Sequence, residues 1–257
     1  MRGIVAIDCF PESVQRYPEY AVVGIDVIRA TTTAVTSVAA GRRCFPAASL
    51  EEAVALAKKL KNPLVVGELG GNMPFGFDMT NSPAQLALRR DTERPMILLS
   101  SSGTQVIAES AKCMAGYVAC LRNTTAQVAH LADRHEKVAL VGAGSRGEFR
   151  EEDQLCCAWI AEGLIRSGYQ PANEQTERIV ERWSGAKPES ILISKSVEYL
   201  RRTEQMRDLD FILSHVDDLA ASFEFRDGEV VIVRVPVDEE NERESPVRAG
   251  IRRPTGR

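Results

Sequence analysis

Residues 20–41 read YAVVGIDVIRATTTAVTSVAAG, and their reading decides the fold. Tyr20 to Val27 is a short apolar run rich in Val and Ile, as buried strands are. Asp26 and Arg29 lie near its end, and a helical pattern then runs to Gly41. A strand that ends in charge and leads into a helix is one half of a β–α unit. The rhythm repeats on both sides of this stretch. Apolar runs start at Gly3 (GIVAI), Arg43 (RCFPA), Pro63 (PLVVGEL), Pro95 (PMILLSS), Gly116 (GYVACL) and Lys137 (KVALVGAG). Helical patterns lie between them. One opens with a capping box, Ser49 to Glu52. Another has Asn81 or Ser82 as cap and Pro83 at the first helical position. The pattern predicts an α/β fold with a largely parallel sheet flanked by helices.

After residue 170 the rhythm changes. Helical stretches near 174–183 and 194–204 precede the apolar run DFILSHV, and SFEFRDGEVVIVRV reads as a hairpin turning at Asp227–Gly228. The expectation is a C-terminal α+β portion ending in a β-hairpin. Residues 1–235 read as one compact domain. Residues 236–257 hold clustered acids followed by arginines and no aromatics, and are expected to form a flexible charged tail.

Composition narrows the function classes. The 257 residues carry 32 basic and 36 acidic side chains, a net charge of −4, with no Lys/Arg stripe, so nucleic acid is not an expected partner. The longest stretch without charge, Pro95 to Ala108, is 14 residues, short of the roughly 20 that span a bilayer. Six cysteines without a C-x-x-C pair suit reduced thiols in the cytoplasm. A homo-oligomer is compatible with all of this.

In α/β sheets, ligands bind beyond the carboxyl ends of the strands. Those junctions are polar here. At the first, Thr31, Thr32 and Thr33 open a helix beside Arg29, an arrangement suited to an anion; the plainer alternative is a threonine cap beside an Arg–Asp pair. At the next, Glu68, Asp78 and Asn81 sit on a glycine-rich loop whose hard oxygen donors suit Mg²⁺. Ser101, Ser102, Gly103 and Thr104 form a second phosphate cradle, or an ordinary cap. Asn123 opens a further helix, where simple capping is favoured. Gly142, Gly144 and Gly147 match a dinucleotide fingerprint. The acids that follow, including Glu152 and Asp153, would repel a pyrophosphate unless a metal intervened. No P-loop, nucleophile elbow or cysteine-phosphatase loop is present.

Taken together, IDVIRATTTAVTSVAAG, GELGGNMPFGFDMTNSP, SSSGTQVI and AGSRGEFREEDQLCC occur in an order that resembles the 2-phosphosulfolactate phosphatase family. The likeness runs from about residue 20 to 170, and more weakly through SKSVEYLRR and DLDFIL. It implies a Mg²⁺-dependent phosphatase that releases phosphate from 2-phospho-3-sulfolactate, a small anionic substrate, in a step of coenzyme M biosynthesis. Two departures concern the substrate: Ser101–Ser102–Gly103–Thr104 stands where the family usually has Thr-Asn-Gly-Thr, and Thr80 where it usually has Gly. The residues expected to act are Asp26 and Arg29 in catalysis. Thr31, Thr32, Thr33, Asn81, Ser101, Ser102, Gly103, Thr104 and Asn123 are expected on the substrate, and Glu68, Asp78, Glu152 and Asp153 on the metal. Rival expectations are another small phosphorylated hydroxy acid as substrate, a dinucleotide-dependent oxidoreductase, or a non-catalytic binder of small anions.

Overall fold

The computed structural model describes residues 2–234, so the expected tail at 236–257 lies outside the described residues. In chain order these form β1 (Gly3–Cys9), β2 (Ala21–Ile25), α1 (Ala30–Ala39), β3 (Cys44–Ala47), α2 (Leu50–Lys59), β4 (Leu64–Gly67) and α3 (Pro83–Ala87). Then come β5 (Met96–Leu99), α4 (Gly103–Ser110), β6 (Ala115–Ala119), α5 (Thr124–Arg134), β7 (Lys137–Gly142), α6 (Glu151–Arg166) and β8 (Tyr169–Pro171). The chain continues through α7 (Glu174–Trp183), α8 (Lys195–Arg202), α9 (Met206–Ser214), β9 (Ala221–Arg226) and β10 (Glu229–Arg234). The run DFILSHV lies mostly in α9, where Leu209 and Ile212 turn inward at helical spacing.

The ten strands of the described residues make one sheet, in the order β4-β5-β3-β10-β9-β6-β2-β7-β1-β8. It is mostly parallel, as expected. β4, β5 and β3 form one parallel block, and β6, β2, β7, β1 and β8 form another. The C-terminal hairpin is no appendage: β10 pairs antiparallel with β3 and β9 antiparallel with β6, so it joins the two blocks. Its turn is at Asp227 and Gly228, both at positive φ, the geometry a two-residue hairpin requires.

Successive strand residues alternate between two cores, because strand side chains point to opposite faces. Val5, Ile7, Val23, Ile25 and Leu140 pack beneath α5 and α6. Ala6, Val22, Ala139 and Val141 pack on the opposite face with Val106 of α4. The predicted caps are in place: Ser49 accepts from the Glu52 N–H, and Ser82 caps α3 ahead of Pro83. All six cysteines are unpaired thiols, five of them buried. Among the described residues no helix is long and apolar enough to cross a membrane.

Candidate active site

The ends of β2, β4, β5 and β7 open into one cavity of about 460 Å³. β2 belongs to one parallel block and β4 and β5 to the other. The start of α4 connects them. Ser101, just ahead of it, donates its N–H (2.7 Å) and its hydroxyl (3.0 Å) to the Glu68 carboxylate. Gly103, its first residue, lies against Asp26: a Cβ there would fall 2.1 Å from Asp26 Oδ2. A glycine is needed because the carboxylate occupies the space of a side chain.

Asp26, Glu68, Glu152 and Asp153 all line this cavity. Glu152 and Asp153 come from the first turn of α6 and are buried. Asp153 accepts the Val27 N–H at 2.9 Å and the Gly144 N–H at 3.3 Å, tying α6 to the ends of β2 and β7. Burial, the largest cause, then Asp26 and Glu152, raise the Asp153 carboxyl well above its ordinary range, against the pull of those two N–H groups. Burial, then the Glu68 charge, push Asp26 up to about 7, opposed by the Ala30 N–H and Arg29. Glu152 is raised by burial, with Ser196 and Ser194 drawing it down. Its Oε2 is buried and has no hydrogen-bond partner among the described residues.

Arg29 lines the same cavity and is itself buried, with the Ile28–Arg29 peptide cis. Its Nη1 donates to Asp208 Oδ2 at 2.6 Å and to Gln205, both contributed by the α9 region. Asp208 also accepts from the Ser82 hydroxyl and, at 3.3 Å, from the Ala84 N–H. One buried carboxylate thus fixes Arg29 and the start of α3 together.

Several expected residues do other work. The hydroxyls of Thr31, Thr32 and Thr33 do not face the cavity. Thr31 Oγ1 exchanges bonds with the Asp26 backbone, accepting its N–H at 2.9 Å and donating to its carbonyl at 2.8 Å. Thr32 donates to the Val27 carbonyl at 2.8 Å, and Thr33 bridges the carbonyls of Arg29 (3.0 Å) and Asn81 (2.7 Å). The triplet shapes the loop that carries Asp26 and Arg29, and its hydroxyls are not available to an anion. Thr104 is likewise closed on Ser100, donating to its carbonyl at 3.0 Å. Asn123 turns its Oδ1 back to the Cys120 N–H at 3.0 Å, outside the cavity. Asp78 is exposed; its Oδ2 accepts the Val65 N–H at 2.8 Å on edge strand β4 and lies 3.4 Å from Arg94. It does not join the other three carboxylates assigned to a metal. Asn81, Ser101 and Ser102 do line the cavity. Among the described residues no three His, Cys, Asp or Glu side chains are already gathered as a metal cage.

The glycine fingerprint has a local explanation. A Cβ at Gly142 would lie 2.4 Å from the Phe149 ring, so the space is filled by the protein's own side chain. Gly144 and Gly147 both have positive φ, and Gly144 gives its N–H to Asp153. No room for a pyrophosphate is left beside Gly142.

One wall was not foreseen. α8 contributes Lys195, Ser196, Tyr199 and Arg202 to the cavity, and Arg150 closes it from the start of α6. The Tyr199 hydroxyl donates to the Gly71 carbonyl at 2.5 Å, joining α8 to the glycine-rich loop. The weak likeness in SKSVEYLRR was the only sequence signal for this wall.

Residues 9–220 match the family model described as 2-phosphosulpholactate phosphatase. A protein of Pseudothermotoga lettingae named "Probable 2-phosphosulfolactate phosphatase" is 37% identical over 153 residues, which is 58% of this chain and 64% of that relative. Relatives carrying the same name come from Carboxydothermus hydrogenoformans, 31% identical over 71% of this chain and 76% of the relative, and from Deinococcus radiodurans, 36% identical over 63% and 68%.

Proposed function

The chain belongs to the 2-phosphosulpholactate phosphatase family, a family of phosphoric monoester hydrolases, and on that premise we propose that it converts 2-phospho-3-sulfolactate to 3-sulfolactate and inorganic phosphate with the help of Mg²⁺. The observation that carries this reading is the pairing, in one cavity, of the half-buried Asp26 and the buried acids Glu152 and Asp153 with the buried Arg29. The acids suit a polyvalent cation and Arg29 suits a phosphoryl group.

The donor set fits Mg²⁺. Three carboxyls are driven upward by burial and by acidic neighbours, and Glu152 Oε2 is buried with no partner among the described residues. A hard divalent cation removes that cost, and Mg²⁺ needs only one or two carboxylates beside water and phosphate oxygens. Glu152 and Asp153 would hold it, with Glu68 across the cavity. When bound, the ion would polarise the phosphoryl group and neutralise its charge.

The protein's own groups do the rest. Asp208 holds Arg29 Nη1 in place, and the guanidinium edge facing the cavity would donate to the equatorial phosphoryl oxygens as charge builds there. Asp26, titrating near neutrality, is suited to orient the attacking water and take its proton. Asn81 and Ser102 would position the remaining polar groups. A reducing cytoplasm is part of the proposal and rests on the six free thiols.

The deciding experiment is phosphate release from 2-phospho-3-sulfolactate by the purified protein, with Mg²⁺ and with EDTA, beside phospholactate and phosphoglycolate. Mg²⁺-dependent release that prefers the sulfonated ester is expected. Release from the other esters alone would move the substrate, and no release from any would refute the activity. Asp26→Asn should lower kcat by about 10²- to 10⁴-fold, the usual contribution of general base catalysis.

A further inference from the structure

Three cationic residues of the cavity, Arg150, Lys195 and Arg146, stand around the turn that carries Glu148. Arg150 donates through Nη1 to Glu148 Oε2 at 2.7 Å, and Lys195 Nζ reaches Glu148 Oε1. Both cations therefore converge on one carboxylate that belongs to the protein. Arg150 is nine-tenths buried, and its Nε is buried with no hydrogen-bond partner among the described residues. A buried guanidinium with an unused N–H is costly unless something else binds it.

We infer that Arg150 and Lys195 form the subsite for a second, non-transferred oxyanion of the substrate, and that the Glu148 carboxylate holds this place until the substrate arrives. This deepens the reading of the same cavity and rests on it. The phosphoryl end is marked by the buried acids and Arg29. The cations around Glu148 come from the turn after β7, the start of α6, and α8, and they are not used by that chemistry. A sulfonate or carboxylate has the charge and the acceptors to replace Glu148 on both cations at once.

The exchange needs no loop rearrangement. Ser145 and Glu148 close the turn with reciprocal backbone bonds of 2.9 and 3.1 Å, around Arg146 and Gly147 at positive φ. Those two bonds do not involve the Glu148 carboxylate, so its side chain can rotate away without breaking them. The side chain is 45% exposed, so leaving the cations for solvent costs it little.

The test compares three esters: 2-sulfoethyl phosphate, which adds a sulfonate; phosphoglycolate, which adds a carboxylate; and isopropyl phosphate, which adds no charge. Lys195 is exposed on α8, so Lys195→Met is expected to fold. It should lower kcat/KM for a charged ester relative to isopropyl phosphate by roughly 10- to 100-fold, mainly through KM, the size of a lost charge-assisted hydrogen bond. Arg150→Lys should move the ratio in the same direction. Glu148→Gln should move it the opposite way, by roughly 3- to 10-fold, because the internal competitor is gone. The charged ester that shows the larger ratio change identifies the group bound. Equal changes for charged and uncharged esters would overturn the inference. Calorimetric titration with 3-sulfolactate keeps the two readings apart. Weaker binding by Lys195→Met and tighter binding by Glu148→Gln would support the subsite even if no ester were hydrolysed. Identical binding by both variants and the parent would refute the subsite, whatever the turnover.

Discussion

Arg29 Nη1 and Asp208 Oδ2 lie 2.6 Å apart, with both side chains at least 96% buried, although 179 positions separate them in the chain. The pair carries Arg29 on a junction after β2 and Asp208 on α9. It is a buried link between the polar site and the C-terminal third of the molecule. Removing one partner leaves an uncompensated buried charge, which typically costs about 3–5 kcal/mol. Asp208→Ala should therefore lower stability by about that much in urea titration. Phosphatase activity should fall by more than the loss of folded protein explains, because Arg29 loses its anchor. Stability within about 1 kcal/mol of the parent would show that the pair is replaceable.

Gly103→Ala should separate chemistry from folding. The added methyl would meet Asp26 Oδ2 at 2.1 Å and Ala30 Cβ at 2.6 Å, so the carboxylate must move. Overpacking of this kind costs about 1–3 kcal/mol. Displacing a catalytic group by an ångström costs about 100-fold in rate. Thermal melting and kcat measured on the same preparation check both expectations.

The pH dependence of stability carries a defined sign. Asp26 rises from 3.8 to about 7 on folding, so the folded form holds its proton more tightly than the unfolded form does. The stability it contributes is complete below 3.8 and is lost as pH rises through about 7. Glu152 and Asp153 shift in the same direction. Buried His130, drawn down to about 4 chiefly by burial, opposes them, since its contribution is lost as pH falls from 6.5 toward 4. The clean readout is the difference between the parent and Asp26→Asn in metal-free buffer. The variant should gain relative stability as pH climbs from 4 to 8. A constant difference would contradict the placement of Asp26.

Mg²⁺ should raise the melting temperature, and the rise should grow with pH as the carboxyls give up their protons. At a hundredfold excess over Kd the stabilisation is about 2.7 kcal/mol. Glu152→Gln should shrink it and Asp78→Asn should not. Asp78 serves Val65 and Arg94 at the sheet edge, and its loss should leave kcat within about twofold, as the screening of exposed pairs suggests. An Asp78→Asn protein that lost both activity and metal response would contradict the structure.

Tyr199→Phe removes the hydroxyl that joins α8 to the Gly71 carbonyl. A net loss of about 1 kcal/mol is expected. KM should rise more than kcat falls, because the loop and the α8 wall both border the cavity.

Much of this was legible in the order of residues. Alternating apolar runs and helical patterns carried the α/β class, and the Ser49 and Ser82 caps were set by neighbours three positions away. Asp26, Arg29, Glu68, Glu152 and Asp153 were recognisable because strand-to-helix junctions converge at one end of a parallel sheet. What stayed hidden was decided by partners distant in sequence. The threonine triplet has the composition of an anion site, but its hydroxyls are claimed by the carbonyls of Asp26, Val27 and Arg29. Asp78 shares a loop with Glu68, yet that loop passes the β4 edge and Val65 takes its carboxylate. Asp208 and Lys195 fall in DLDFIL and SKSVEYLRR, where the likeness is weak, and only tertiary packing brings Lys195 to the cavity and Asp208 to Arg29. The hairpin was visible as a hairpin, while its insertion between β3 and β6 depends on pairings that local pattern does not encode.

That insertion also sets an order of assembly. β9 and β10 follow every other strand in the sequence, so a chain emerging from the ribosome makes both parallel blocks before it makes the strands that join them. Until residues 221–234 arrive, β3 and β6 each present a bare edge of unpaired amides, the kind of surface on which nascent chains stick to one another. A chain stalled or cut near residue 216 would keep every cavity residue and still lack its keystone. Such a fragment should occupy chaperones far more than its apolar content alone would suggest.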